Sequence, residues 1–467
     1  MTAIDDDPAV TVRLTEPEAI ANVRIVLELC ASGTLRCSEK TRRPTAASVT
    51  GLALLLADGE FHPHEPIAAY AWPLLLQAGS LAELAGNRLQ LTTRGRAALT
   101  APPSATIRGL WQRWVAHGVI DELTRVEAIK GQRSANVLTS AKTRRQSVAG
   151  ALGACPAGEW VSIEELFGRM RAGNLSPTVA RNERSLWRLY ISDPQYGSLG
   201  YAGFHNWTLL EGRYTLAVLF EYAATLGLID IAYTDPAGAR DDFHGNWGTD
   251  DLESLSRYDG LHAIRINALG AYVVGLAEHM PPETATTAQS IKVLANHDVV
   301  ALSELQLGDR MTLSAFADQS AEGVWSLTAG SLLTAIANGR RIEELLHVLD
   351  RASGQALPAP VRTLISDVTT RAAALTDRGM VRLVECADAS TAKLIAGDRR
   401  TRRLCEFIGE RHLAVGAEHE AAFLPRSHGS GTYSLPDQPP EDKPGNPAAE
   451  EAIPSASTVA PRVRTQL

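Results

Sequence analysis

Short groups of arginine and lysine are the residues in this sequence whose types and spacing most clearly suggest a function, which is the binding of phosphate groups. Basic and hydroxyl side chains in the turn before a helix, and in its first turn, contact phosphates and base edges in helix-turn-helix proteins. Such residues precede a predicted helix at 46–57, and more follow in a predicted strand and the next helix. A solvated helical face is the alternative for both groups. The predicted DNA contacts are Arg36, Lys40, Arg42, Arg43, Thr45, Ser48, Arg88, Arg94 and Arg96.

Two further basic groups have other interpretations. A solvated linker is favoured for the first, which comprises Lys130, Arg133, Lys142, Arg144 and Arg145. The second is predicted at a helix start and comprises Arg399, Arg400, Arg402 and Arg403. Positive charge there opposes the helix dipole unless an anion neutralises it. A phosphate or a partner's carboxylate would serve as that anion, and so would the acidic loop 235–253 of the same chain.

Metal-dependent chemistry has two weak candidates. The acidic loop holds Asp241, Asp242, His244, Asp250 and Asp251, and clustered carboxylates can bind the Mg²⁺ of a nuclease. No lysine stands at a nuclease-like spacing, so a solvated loop is the favoured interpretation. The group His62, His64 and Glu65 offers only two imidazoles and is predicted to be a solvated turn rather than a zinc site. No metal and no cofactor are predicted.

The sequence lacks the motifs of a motor. A helicase needs a G-x-x-x-x-G-K-[ST] loop to hold nucleotide phosphates, and none occurs. The stretch 131–143 has a glycine and a lysine but no second glycine before that lysine. The five cysteines are scattered and have no histidine partner in sequence, so no thiol nucleophile is predicted. We therefore expect no enzymatic activity.

Two distant segments end in the same way and suggest a repeated element. "RLQLTTRGRAAL" at 88–99 and "AIRINALGAYVV" at 263–274 each read as strand, cap and helix. The caps are Thr92 and Asn267, each followed three positions later by a glycine, Gly95 or Gly270. A strand that returns from a wing and enters a capped helix is how winged-helix domains end. The pattern predicts winged-helix-like domains at 16–140 and 141–285, with two unrelated α/β segments as the alternative.

The third block carries a family resemblance. It contains the strand "IKVLAN" and predicted helical runs at 329–350, 358–375 and 389–413. Residues 323–368 resemble the N-terminal domain of XPB-type DNA helicases in its bacterial, helicase-associated form. The stretch 358–360 departs from that family, reading Pro-Ala-Pro where Pro-Gln-Asn is usual. The resemblance implies a DNA-handling accessory domain at 286–425 without ATPase activity. The matching positions include Trp325, Leu327, Thr328, Ala335, Gly339, Ile342, Leu345, Leu349, Leu357, Val361 and Leu364.

Composition sets the outer limits of the prediction. The chain has 467 residues, 45% of them hydrophobic, and a net charge of −8, which favours several helix-rich domains and allows one basic face on an acidic body. Residues 426–467 are rich in Pro, Ser, Gly and Glu and are predicted to be a disordered tail. The longest apolar run, at 51–57, is too short to span a membrane, and the N-terminus lacks a signal-peptide pattern, so a cytoplasmic location is expected.

The predicted fold is α+β and helix-rich, with tandem winged-helix-like domains before the helicase-associated domain. The leading hypothesis is a non-catalytic accessory protein that binds double-stranded DNA in a bacterial DNA-processing or defence assembly. The first domain is expected to bind DNA, and the second, with its acidic wing, to dock to protein. The alternatives are a scaffold that recruits a separate helicase or nuclease, and a transcriptional regulator. Neither a membrane nor a small-molecule substrate is expected as a partner.

Overall fold

A computed structural model describes residues 10–133, 136–200, 206–280, 289–373 and 380–423. The fold is α+β and helix-rich, as predicted, with several small sheets. The chain divides into two compact units, residues 1–374 and 375–467. That division falls inside the predicted 286–425 domain, and the predicted tail at 426–467 lies outside the described residues. The boundaries at 140, 285 and 425 stay predictions.

The first segment builds a small helical layer with a β-hairpin. Its elements are β1 (Thr11–Arg13), α1 (Thr15–Ala31), α2 (Ala46–Ala53), α3 (Ala68–Ala78), β2 (Ala82–Ala85), β3 (Arg88–Leu91), α4 (Thr93–Ala98) and α5 (Pro103–His117). Strands β2 and β3 pair antiparallel, and residues 35–37 pair with the outer side of β3. The predicted helix at 46–57 ends early, at Ala53.

The second segment is built around a larger sheet. A 3₁₀ helix (Glu122–Arg125) and the strand β4 (Ile129–Lys130) follow α5 within the first segment. The second segment includes a helix at 208–224, in which the α-helical turn α9 (Arg213–Ala217) is flanked by wider π-helical turns. Its sheet has the order β1-β7-β8-β5, so the strand β1 of the first segment completes it. The other elements of the second segment are α6 (Ala141–Gly153), β5 (Trp160–Ser162), α7 (Ile163–Ala172), α8 (Glu183–Leu186), β6 (Tyr190–Ile191), β7 (Ile229–Tyr233), β8 (Leu261–Ile266) and α10 (Ala268–Val274).

The two strand–cap–helix junctions are confirmed, and they share a physical cause. Thr92 Oγ1 accepts the Gly95 N–H at 3.1 Å, and Asn267 Oδ1 accepts the Gly270 N–H at 2.9 Å. A Cβ atom on Gly95 would lie 2.0 Å from a carbonyl oxygen, and one on Gly270 would lie 1.8 Å from another. Each helix therefore starts so close to neighbouring backbone that only glycine fits.

The helix that precedes the β-hairpin in each segment is buried in a core that both segments share. Every residue of α3 except Tyr70, and every residue of the helix 208–224 except Thr208, is buried. The two helices contact each other. The core runs continuously from residue 19 to residue 273, and in it Trp114 stacks on Tyr222 with ring centroids 4.4 Å apart. The segments 16–140 and 141–285 thus pack as one body.

The third segment has a four-stranded sheet and packs on α1. Its elements are β9 (Ile291–Val293), β10 (Asp298–Ala301), α11 (Leu307–Phe316), β11 (Asp318–Ala321), β12 (Val324–Ser326), α12 (Ala329–Ala337), α13 (Ile342–Ser353) and α14 (Ala359–Ala373), with strand order β11-β12-β10-β9. Helix α11 lies against α1. Arg340 makes a bidentate ion pair with Glu28 of α1, at 2.7 and 2.9 Å, and both side chains are buried.

The second unit is a small sheet covered on one face by a helix. It comprises β13 (Val381–Glu385), α15 (Ala389–Gly397), β14 (Cys405–Ile408) and β15 (His412–Gly416), with strand order β13-β15-β14. The predicted helical run at 389–413 is therefore wrong beyond Gly397. Residues 405–416 instead form a hairpin, in which buried and exposed positions partly alternate, as in a half-buried sheet.

Candidate nucleic-acid interface

Arg36 and Arg88 form a like-charged pair on the exposed side of the first segment. They lie directly opposite each other, between the backbone hydrogen bonds of the flanking residue pairs. Side chains approach closely at such positions, and like charges there destabilise the pairing. Both side chains are exposed, and neither makes an ion pair with any described residue. An external anion would relieve their repulsion.

The basic turn before α2 is held in a fixed shape. Arg42 has a φ of 63°, the left-handed conformation that is uncommon outside glycine. Its Nε donates to Gln77 Oε1 at 3.0 Å, while the Gln77 amide donates back to the Arg42 carbonyl at 3.0 Å. Arg43 Nη2 donates to Thr124 Oγ1 at 2.6 Å. Together with exposed Lys40, this turn presents positive charge from an ordered backbone.

The hydroxyl groups of Thr45 and Ser48 are engaged within the protein. Thr45 caps α2 and accepts the Ser48 N–H at 3.3 Å. Ser48 is buried, and its Oγ accepts the Arg36 N–H at 2.8 Å. Their contact with DNA stays a prediction, and this geometry does not favour it, because both side chains already stabilise the start of the helix.

The arginines after β3 have different environments. Arg94 is exposed on α4. Arg96 is half-buried and donates to the carbonyl oxygen of Gly339 in the third segment. A structural contact within the first unit thus accounts for Arg96, whereas Arg94 belongs to the exposed basic surface. We call the set Arg36, Lys40, Arg42, Arg43, Arg88 and Arg94 the basic surface.

A groove next to the basic turn brings together residues that the sequence separates. It has a volume of about 640 Å³ and is lined by Arg43, Lys130, Arg133, Gln132 and Tyr190, among others. Lys130 pairs with Tyr190 across the two-stranded ribbon β4–β6. Sequence reasoning missed Tyr190, since nothing in residues 174–212 marks it apart from several other aromatic residues.

The expected linker arginines are instead buried in the core. Arg144 pairs with Asp121 at 2.5 Å, and Arg145 pairs with Glu122 at 2.8 Å. Both arginines are almost fully buried. Burial raises the pKa of Glu122, and the charge of Arg145 opposes that rise. The solvated-linker interpretation is therefore wrong for Arg144 and Arg145, which connect the first two segments.

Asp242 of the acidic loop is an internal ion-pair partner. Asp242 makes a bidentate pair with buried Arg213, at 2.6 and 2.7 Å, and Asp259 pairs with the same guanidinium. Burial tends to raise the pKa of Asp242, but the hydrogen bonds and charge of Arg213 outweigh it and lower that pKa. Within the described ranges, no three His, Cys, Asp or Glu side chains come together as a metal site would require.

His62 and the cysteines are buried as well. The predicted solvated turn is wrong for His62, which packs edge-on against Tyr233 with ring centroids 5.2 Å apart. Burial lowers the pKa of His62. Burial raises the pKa of the Cys30 and Cys37 thiols to about 12, so these residues are poor nucleophiles.

The arginine cluster of the second unit lies in a turn, not at a helix start. Helix α15 ends at Gly397, and the turn to β14 is organised by Asp398, whose carboxylate accepts the Arg400 N–H at 2.8 Å. The side chains of Arg399, Arg400, Arg402 and Arg403 are exposed and, in the described part of the chain, form no ion pair. These arginines therefore do not oppose a helix dipole. Their positive charges instead repel one another.

Comparison with known proteins identifies a helicase-related domain. A family model of the helicase conserved C-terminal domain matches residues 292–406, from β9 to β14. No curated protein matches the chain. The match supports the predicted helicase-associated domain. Among the described helices, none has the length and apolar character that crossing a membrane requires.

Proposed function

We propose that this protein binds double-stranded DNA through the basic surface, as a non-catalytic accessory component of a bacterial DNA-processing or defence assembly in the cytoplasm. The observation that carries the proposal is the cross-strand pair Arg36 and Arg88, with Arg42 and Arg43 in the adjoining ordered turn. Elsewhere in the first unit, buried arginines are neutralised by carboxylates. The basic surface has no such neutralisation among the described residues, as phosphate binding requires.

Both of the first two segments are proposed to be winged-helix units. In each, a helix, a short strand and two more helices precede a β-hairpin, with α8 and β6 as an insertion in the second segment. The short strand pairs with the second hairpin strand. The third helix of this arrangement is the one that enters the major groove in helix-turn-helix proteins. Here the third helices are α3 and the helix 208–224, and each is buried against the other segment.

Burial of these helices has a direct consequence for DNA recognition. Base edges in the major groove are read by a helix or a β-ribbon inserted into the groove, and neither third helix is free to do so. The exposed cations of the basic surface contact phosphates, which carry no direct sequence information. We therefore propose binding that is independent of DNA sequence.

The third segment is proposed to supply the connection to a motor. Residues 292–406 match the helicase conserved C-terminal domain, and 323–368 resemble the N-terminal domain of XPB-type helicases. The sequence itself lacks a phosphate-binding loop. A helicase domain without its motor motif suits a protein that acts beside a separate helicase or nuclease.

Fluorescence anisotropy with 30-bp duplexes of unrelated sequence tests this proposal. We expect equal affinity for the different duplexes and a loss of at least tenfold in the variant R36E/R88E. Arg362→Glu, an exposed change on α14, is the matched control and should bind normally. Absence of duplex binding in the unaltered protein, or strong preference for one sequence, would contradict the proposal.

A protein-docking scaffold is the second candidate, favoured by the open face of the second unit's sheet. On that face Leu383 is 60% exposed and Ile408 is 42% exposed. Leu383 lies opposite Ala414, and Ile408 opposite His412, so these side chains share the face away from the buried Leu413. If R36E/R88E left duplex binding unchanged, or no duplex bound at all, this candidate would take precedence.

A further inference from the structure

We infer that the groove lined by Arg43, Lys130, Arg133 and Tyr190 binds a single nucleotide unit, either a free nucleoside phosphate or an unpaired nucleotide of a nucleic acid strand. Its volume of about 640 Å³ lies within the range of about 300–1,000 Å³ typical of small-ligand pockets. Apart from Arg43, the groove residues lie outside the proposed duplex-binding surface. The inference therefore does not depend on duplex binding.

The groove concentrates positive charge that the protein does not neutralise. Arg43, Lys130 and Arg133 all line it, and in the described ranges none of them pairs with a carboxylate. Its acidic lining residue, Glu127, is already paired with Arg257 at 3.1 Å. The net charge that a ligand meets is thus positive, and a phosphate group complements it.

The aromatic ring of the groove stands beside its lysine. Lys130 and Tyr190 are directly opposed across β4 and β6, so their side chains project from the same face of the ribbon. Both line the groove. Gly131 has a φ of 83°, and a Cβ atom there would lie 1.8 Å from the Arg188 carbonyl oxygen. The backbone next to Lys130 is therefore closely packed, and only glycine fits at position 131.

A fixed hydrogen-bond acceptor completes the set. The Gln132 amide nitrogen donates to the carbonyl oxygens of Val126 and Ile129, at 3.1 and 2.7 Å. These two bonds orient the amide, and its oxygen accepts no hydrogen bond from any other described residue. The groove thus offers the three kinds of group that bind a nucleotide: cations for the phosphate, a ring on which the base can stack, and an acceptor for an N–H or O–H of the base or sugar.

The probe is ethenoadenosine monophosphate, titrated into the full-length protein at low salt and followed by its fluorescence. We expect saturable binding that Tyr190→Ala weakens about 5- to 150-fold, the range that base–aromatic stacking covers. Tyr190→Phe keeps the ring and should bind nearly normally, which separates loss of stacking from misfolding. Lys130→Ala should also weaken binding, and Arg362→Ala, away from the groove, should not.

Competition defines the ligand class. If unlabelled nucleoside, which lacks the phosphate, competes as well as the nucleotide, the inference fails. It also fails if inorganic phosphate competes as well as the nucleotide, or if the probe does not bind. The inference is supported if an unpaired oligonucleotide competes better than the mononucleotide, and the ligand is then a strand. It is also supported if the mononucleotide competes better, and the ligand is then a free nucleotide. R36E/R88E should retain probe binding, so failure of the duplex proposal and failure of this inference give different results.

Discussion

Replacing Arg125 with methionine should leave a buried carboxylate without its partner at the contact between the first two segments. Arg125 Nε donates to both oxygens of Glu221, at 3.0 and 2.8 Å. The two side chains are 7% and 0% exposed, so water hardly reaches either group. Tyr258 also donates its hydroxyl to Glu221. After the substitution, that single neutral donor remains for a full negative charge.

The structure sets the expected size of this effect. Loss of one partner from a buried ion pair costs about 3–5 kcal/mol, and we expect about 3 kcal/mol for Arg125→Met because Tyr258 still serves Glu221. The double variant Arg125→Met/Glu221→Leu removes both charges and should cost less than the single variant. Arg169→Met is the control: its pair with Glu165 is 45% and 50% exposed, and its loss should cost about 0.5 kcal/mol or less.

Urea unfolding followed by tryptophan fluorescence measures these values. The shared core predicts one cooperative transition for residues 10–280, with an unchanged urea dependence and a lower midpoint in Arg125→Met. A cost below about 1 kcal/mol for the single variant, or a larger cost for the double variant, would refute the reasoning. Two separate transitions would show that the first two segments do not fold as one body.

Three further outcomes follow from named contacts. Because burial lowers the pKa of His62, the folded state resists protonation of this side chain. The free energy of unfolding should therefore be highest above the ordinary histidine pKa of about 6.5 and fall as the pH drops below it. In urea titrations at several pH values, His62→Phe should reduce this dependence of the unfolding free energy on pH. Gly95→Ala and Gly270→Ala should each lower the unfolding free energy by about 1–3 kcal/mol, measured in the same way, because their Cβ atoms would overlap carbonyl oxygens. Reversal of the four arginines at 399–403 to glutamate should leave both duplex affinity in anisotropy and the free energy of unfolding unchanged, since these exposed side chains lie outside the basic surface and make no ion pair with described residues.

Local patterns in the sequence predicted the local structure. The spacing of Thr92 and Gly95, and of Asn267 and Gly270, identified both capped helices because a cap and a close backbone contact depend on neighbouring residues. The helix-rich α+β class followed from composition and periodicity. The helix assigned to 389–413 was wrong beyond residue 397, because a run of arginines masked the alternation of a half-buried hairpin.

Long-range packing set the features that the sequence did not reveal. Arg144 and Arg145 have the composition of a solvated linker, and only the fold places Asp121 and Glu122 against them. Burial of α3 depends equally on the helix 208–224, which is some 140 residues away in the chain. The basic turn at 36–43 was predicted from residue type, whereas its approach to Lys130 and Tyr190 required the tertiary structure.

The salt dependence of duplex binding tests the central claim most directly. Each phosphate contact contributes about −0.9 to the slope of log affinity against log salt, so the six cations of the basic surface predict a slope of about −5. R36E/R88E should make that slope shallower by about 2 and weaken binding alike for every duplex sequence. A flat salt response, or a slope that the variant leaves unchanged, would contradict phosphate binding by the basic surface.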